Sequence, residues 1–93
     1  MTIGLLHLEF MIPGARSLKD KRRATKSFRD QVRNRYNCSI AEVGMKEKWG
    51  RAHFAACVVS DDAAHANTQL NEIARFATVR ANMDLTHYEI EML

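Results

Sequence analysis

Proline occurs once in the chain, at Pro13, and glycine four times. Linkers are marked by clusters of such residues, and none is present, nor does any repeat or low-complexity segment interrupt the pattern. Cysteine is nearly as sparse. Cys38 and Cys57 stand apart, without a metal-type or redox-type CxxC spacing, and read as free thiols of a reducing compartment. No run approaches the roughly 18 apolar residues that a membrane span needs. The stretch Met1–Phe10 has no basic start and carries His7 and Glu9 among its apolar residues, which argues against a signal peptide. A cytoplasmic protein with no membrane partner is expected.

Catalytic signatures are missing as well. The chain has no Gly-x-Ser-x-Gly elbow, no P-loop and no HExxH, and no Cys-His pair whose proximity spacing alone supports. The adjacent carboxylates Asp61 and Asp62 sit where a helix should start and read as caps. The expectation is a protein that is not an enzyme and carries no cofactor.

What is present is an ordinary globular composition, 46% hydrophobic and 27% charged over 93 residues, enough for one two-layered domain spanning residues 1–93. Residues 2–12 alternate as a strand, with Leu6, Leu8, Phe10 and Ile12 on one face and Ile3, Leu5, His7, Glu9 and Met11 on the other. Pro13 and Gly14 end it. Ser17 and Asp20 have the positions of a capping box, and Leu18, Thr25, Phe28, Val32 and Tyr36 recur at helical spacing, predicting a helix from Leu18 to Tyr36. Strands follow at Cys38–Val43 and Arg51–Ser60, joined by a polar, glycine-bounded loop. A second helix starts after Ser60-Asp-Asp62, buries Ala66, Leu70, Ile73, Ala74 and Ala77, and is read as ending at Asn82. Leu85–Met92 alternates as a last strand. The order β-α-β-β-α-β predicts an α+β, ferredoxin-like sandwich: an antiparallel sheet of order 4-1-3-2 with both helices on one face and the other face uncovered.

Charge is distributed very unevenly. Residues 16–36 hold nine Lys or Arg against Asp20 and Asp30, a net +7, so that the chain's overall +3 leaves −4 for all the rest. Projected at about 100° per residue, Lys19, Arg22, Arg23, Lys26, Arg29 and Arg33 form one flank of the first helix beside its apolar side. Such a stripe fits sequence-independent contact with nucleic-acid phosphates, whose counterions it would release. A solvated surface helix carries charge too, but usually interleaves both signs. Lys21 projects onto the apolar side, where a snorkelling stem is the expectation. Arg16, beside unpaired N–H groups at the helix start, is a candidate phosphate clamp, although a Gly-plus-cap turn is also simply how a strand joins a helix.

On the uncovered sheet face the strand phases place His7, His53 and His87 with Glu9, Arg51 and Glu89. The three histidines are metal candidates only if their ring nitrogens converge, and no metal is expected. Ile3, Leu5, Met11 and Val59 share that face, which would suit self-association into a homodimer or a partner protein, with Trp49 on the loop as a candidate partner anchor or a lid over the core edge. Gly50-Arg-Ala-His-Phe54 lacks the basic-glycine-aromatic pattern of an RNA-recognition motif, and no GxxG clamp is present.

The run Ile12-Pro-Gly-Ala-Arg-Ser-Leu-Lys-Asp-Lys-Arg-Arg23, then Arg33-Asn-Arg-Tyr-Asn-Cys-Ser-Ile-Ala-Glu-Val43, with Trp49 and Tyr88-Glu89, resembles the YlxP-like family of small bacterial proteins, domain of unknown function 503. The resemblance covers essentially the whole chain and implies a ferredoxin-like fold. It implies no established activity, and a setting among translation-initiation and ribosome-maturation genes. His7, where the family commonly has a basic residue, and Cys38, where it is usually aliphatic, depart from the pattern. The leading expectation is a translation- or ribosome-associated accessory protein that binds structured RNA through Lys19, Arg22, Arg23, Lys26, Arg29 and Arg33, assisted by Arg16. The alternative is a protein-binding or self-associating module using the open sheet face. An acylphosphatase-like hydrolase using Arg16 comes third, and Pro13–Ser17 does not match that family's phosphate loop.

Overall fold

Strict alternation along the first strand decides where the core lies. The computed structural model, which describes residues 1–80 and 82–93, runs β1 (Thr2–Met11), α1 (Leu18–Arg35), β2 (Ser39–Gly44), β3 (Arg51–Ser60), α2 (Ala63–Ala77) and β4 (Asp84–Met92). Leu6, Leu8 and Phe10 of β1 and Ala52, Phe54, Ala56 and Val58 of β3 are buried on one face, under the buried sides of both helices. The four strands pair antiparallel in the order β2-β3-β1-β4. This is the expected 4-1-3-2 sheet counted from its other edge, and the fold is the ferredoxin-like α+β sandwich.

α1 begins at Ser17, whose Oγ accepts the Asp20 N–H at 3.1 Å, while the Asp20 carboxylate accepts the Arg16 N–H at 3.0 Å. Two donors at the helix start are thus satisfied by side chains. Phe28 anchors the helix to the sheet by edge-on contacts with Phe10 and Phe54, ring centroids 5.0 and 5.2 Å away. The helix closes one residue before the expected Tyr36, which is extended and donates its N–H to the Val32 carbonyl.

α2 is capped by Asp62, whose carboxylate accepts the N–H groups of Ala64 and His65. Its alanine-rich inner face lets it lie close on β1. A Cβ added to Gly4 would stand 2.7 Å from Leu70 Cδ1, so any side chain there would force Leu70 to shift. The helix ends at Ala77, five residues short of the expected Asn82. The Thr78 N–H turns back to the Arg75 carbonyl, which the Thr78 hydroxyl also takes at 2.7 Å, and the following residue, Val79, is again β-branched and a poor helix former. Position 81 of that expected helix lies outside the described residues.

Two irregularities set the faces of the outer strands. Between Glu9 and Phe10 the β4 register shifts, leaving Thr86 as the extra residue, so Leu85 joins the core side while His87 lies opposite Glu9 and Glu89 opposite His7. In β2 the shift falls at Val43, between Glu42 and Gly44, and Glu42 lies opposite Phe54 on the helix side. Among the described residues no helix is long and apolar enough to cross a membrane.

Candidate nucleic-acid interface

Antiparallel pairing brings one set of chain reversals together. Met11 at the end of β1 lies opposite both Arg51, the first residue of β3, and Asp84, the first of β4. The Ile12 N–H donates to the Gly50 carbonyl at 2.8 Å. The turn into α1 and the β2–β3 loop therefore share one end of the sandwich.

The basic flank of α1 is not uniform along its length. In its second half the cations are engaged. Lys26 donates to Asp30 at 2.9 Å, and the Arg29 Nε lies 3.8 Å from the same carboxylate. The hydrogen bond from Lys26 holds the Asp30 carboxyl below its ordinary value, helped by the charges of Lys26, Arg29 and Arg33 and opposed by desolvation. Arg33 reaches across to the sheet edge and donates to the Ile40 carbonyl at 3.1 Å, covering a backbone acceptor of the edge strand β2. Arg35 stands over the Phe76 ring at 4.7 Å, and Arg80 over the same ring at 3.9 Å.

The first half differs. Arg16, Lys19, Arg22 and Arg23 are exposed, and among the described residues none of their side chains has a charged or hydrogen-bonding partner. The carboxylate within this stretch, Asp20, accepts the Arg16 N–H in the cap. The seven residues expected to bind phosphate thus divide into four free cations at the helix start and three, Lys26, Arg29 and Arg33, committed to contacts within the fold. The same capping contacts weaken the phosphate-clamp reading of the turn, because an anion at the helix start would face the Asp20 carboxylate.

Lys21 does not snorkel. Only 1% of the residue is exposed, its Nζ lies 2.9 Å from the Glu42 carboxylate, and it donates to the Met45 carbonyl at 2.5 Å. Alternation along β2 explains this, since Ile40 and Glu42 pair regularly with Ala56 and Phe54 and share the helix side, where the ammonium finds a partner without reaching solvent. Lys21 consequently ties α1 to the β2–β3 loop. The loop is further fixed by the Lys48 N–H bond to the same Met45 carbonyl, and Met45 takes the left-handed φ of 59°.

That loop and the start of β3 display further cations at this end, two of them, Lys46 and Lys48, not singled out in the sequence. Lys46, Lys48 and Arg51 are exposed and opposed locally by Glu47 alone. The signal was available as a local +2 over Met45–Arg51, but it was averaged into an otherwise acidic remainder. Trp49 lies among them, 52% exposed. Seven exposed cations, Arg16, Lys19, Arg22, Arg23, Lys46, Lys48 and Arg51, are carried by the segments at this end.

The uncovered sheet face has a different character. His7 Nδ1 and His53 Nε2 are 3.0 Å apart, so one ring donates to the other. His87 is placed opposite Glu9, and among the described residues no three His, Cys, Asp or Glu side chains gather as a metal site. Val59 and Met11 of this face are exposed, while Phe54 of β3 points into the core and is unavailable for base stacking. Burial pushes the Cys38 thiol above its ordinary value against the pull of Arg33, which keeps it protonated and weakly nucleophilic at neutral pH.

Comparison with known proteins matches residues 3–90 to a family model described as protein of unknown function (DUF503). The chain is also similar to the uncharacterized protein YlxP of Bacillus subtilis (strain 168), 34% identical over 74 residues that cover 80% of each chain.

Proposed function

The chain belongs to the DUF503 family, and from its surface we propose that it is an accessory protein that grips the backbone of structured RNA with the basic end formed by the α1 start and the β2–β3 loop. The observation that carries this reading is the segregation of charge. The second half of α1 pairs its cations within the fold, as a solvating helix does, whereas among the described residues Arg16, Lys19, Arg22 and Arg23 have no side-chain partner, at the end of the fold that also carries Lys46, Lys48 and Arg51. Like charges held together repel one another and are stabilised by a polyanion that they can share. Phosphate contacts of this kind position an RNA without reading its sequence. The setting among translation genes that the family resemblance implies makes a ribosomal RNA fragment the first substrate to try.

Affinity for such a fragment should fall steeply with salt. Four to seven phosphate contacts correspond to a log-log slope of about −3 to −6. Unrelated RNAs of similar shape should bind within a few-fold of one another. Filter binding across a salt series reads both, and a slope near zero, or no retention of RNA at about 50 mM salt where phosphate contacts are strongest, would overturn the reading.

A further inference from the structure

We propose that Trp49 is a stacking platform for an unpaired base, so that the basic end selects RNA with single-stranded or extruded nucleotides over continuous duplex. This rests on the RNA reading above and gives it a substrate class.

Trp49 is the only tryptophan of the chain. It is not among the residues packed against the hydrophobic core, and half of its surface is exposed, so it does not serve as a lid over the core edge. A large apolar ring left in water has a use where a flat partner can cover it. The loop that carries it is also held in place. The Met45 carbonyl is bound by both Lys21 and the Lys48 N–H, and the Gly50 carbonyl by the Ile12 N–H. An indole held in a pinned loop stacks at a smaller entropic cost than one on a mobile loop.

The neighbours of Trp49 supply the second half of a single-strand site. Lys48 precedes it, Arg51 follows two residues later, and Lys46 lies in the same loop, so a base on the indole would have its flanking phosphates among cations. Alternation of aromatic and basic residues is how proteins hold single strands without sequence preference. Bases inside an A-form helix are stacked on each other, and its narrow major groove does not admit side chains. Only an unpaired base or a helix end can meet the ring.

The test uses the full chain with two probes of equal length, an unstructured RNA oligonucleotide and a blunt RNA duplex, in low salt. Fluorescence of the sole tryptophan reports stacking and anisotropy of labelled RNA reports affinity. The single strand should quench Trp49 strongly, and the duplex, which offers only its two end pairs, should quench it weakly. Trp49→Ala should weaken single-strand binding by about tenfold and change duplex binding less than twofold, while Trp49→Phe restores most of the loss. Circular dichroism of each variant confirms that it is folded. Unchanged single-strand affinity in Trp49→Ala, equal losses for both probes, or binding without quenching would overturn the stacking role while leaving the basic end intact. Failure of the unsubstituted protein to bind either probe overturns both.

Discussion

Replacing Lys21 with alanine should lower the thermal unfolding midpoint by about 10 °C or more, the shift that a loss of about 2–4 kcal/mol produces in a domain of this size. Three costs add. The buried stem leaves a cavity. The Glu42 carboxylate loses the ammonium 2.9 Å away, and the Met45 carbonyl loses a donor inside the loop. The Glu42 side chain is one-fifth exposed, so water can recover part of the second cost, and the estimate lies below that for a pair sealed from solvent. Lys21→Met combined with Glu42→Leu removes both charges and keeps the volume, and should recover most of the loss, since apolar replacement of a buried ion pair is often neutral. Melting curves of the three proteins decide the matter. A shift under about 2 °C for Lys21→Ala, less than half a kcal/mol, would mean that the pair contributes little and that the loop is not held by it.

Removing Lys19, Arg22 and Arg23 together should weaken RNA binding by about 10- to 100-fold near 50 mM salt and flatten the log-log slope by about 2 to 3. The three side chains are exposed and without partners among the described residues, so the midpoint of unfolding should move little. Lys26 provides the contrast on the same helix face. It is paired with Asp30, and any phosphate contact it made would have to compete with that carboxylate, so Lys26→Ala should change affinity less than about threefold, under one phosphate contact's worth. Equal effects from Lys26→Ala and from any single member of the triple would show that the flank acts as undifferentiated charge.

The fold was legible because each element obeys its own periodicity. Leu6, Leu8 and Phe10 alternate, Phe28 and Val32 keep helical spacing, and Ser17 and Asp62 are capping residues that do cap. Departures come from effects that spacing does not encode. Thr78 ended α2 by bonding back to Arg75, and an extra residue in β4 sent Leu85 to the core side while the alternation predicted otherwise. The candidate site was half legible. Projection found the α1 flank but could not tell that Arg33 is spent on the Ile40 carbonyl and Lys26 on Asp30, because those partners are set by tertiary contact. Lys21 looked misplaced for the same reason, since its partner Glu42 is 21 positions away on a separate strand. Lys46 and Lys48 were hidden because charge was summed along the chain, and Arg51 was read only with the open sheet face, whereas the bond between Ile12 and Gly50 brings their segment to the end where α1 starts.

The location of bound RNA is the most direct check on the role assigned to the basic end. The protein would be crosslinked to RNA in its native cell by ultraviolet light and purified, and the peptides that carry nucleotide remnants would be mapped by mass spectrometry. The expected remnants lie on the segments 16–23 and 45–51, with Trp49 among the modified residues. Remnants confined to β1, β3 and β4 residues of the open sheet face, such as His7, His53 and His87, or recovery of the protein without crosslinked RNA, would contradict it.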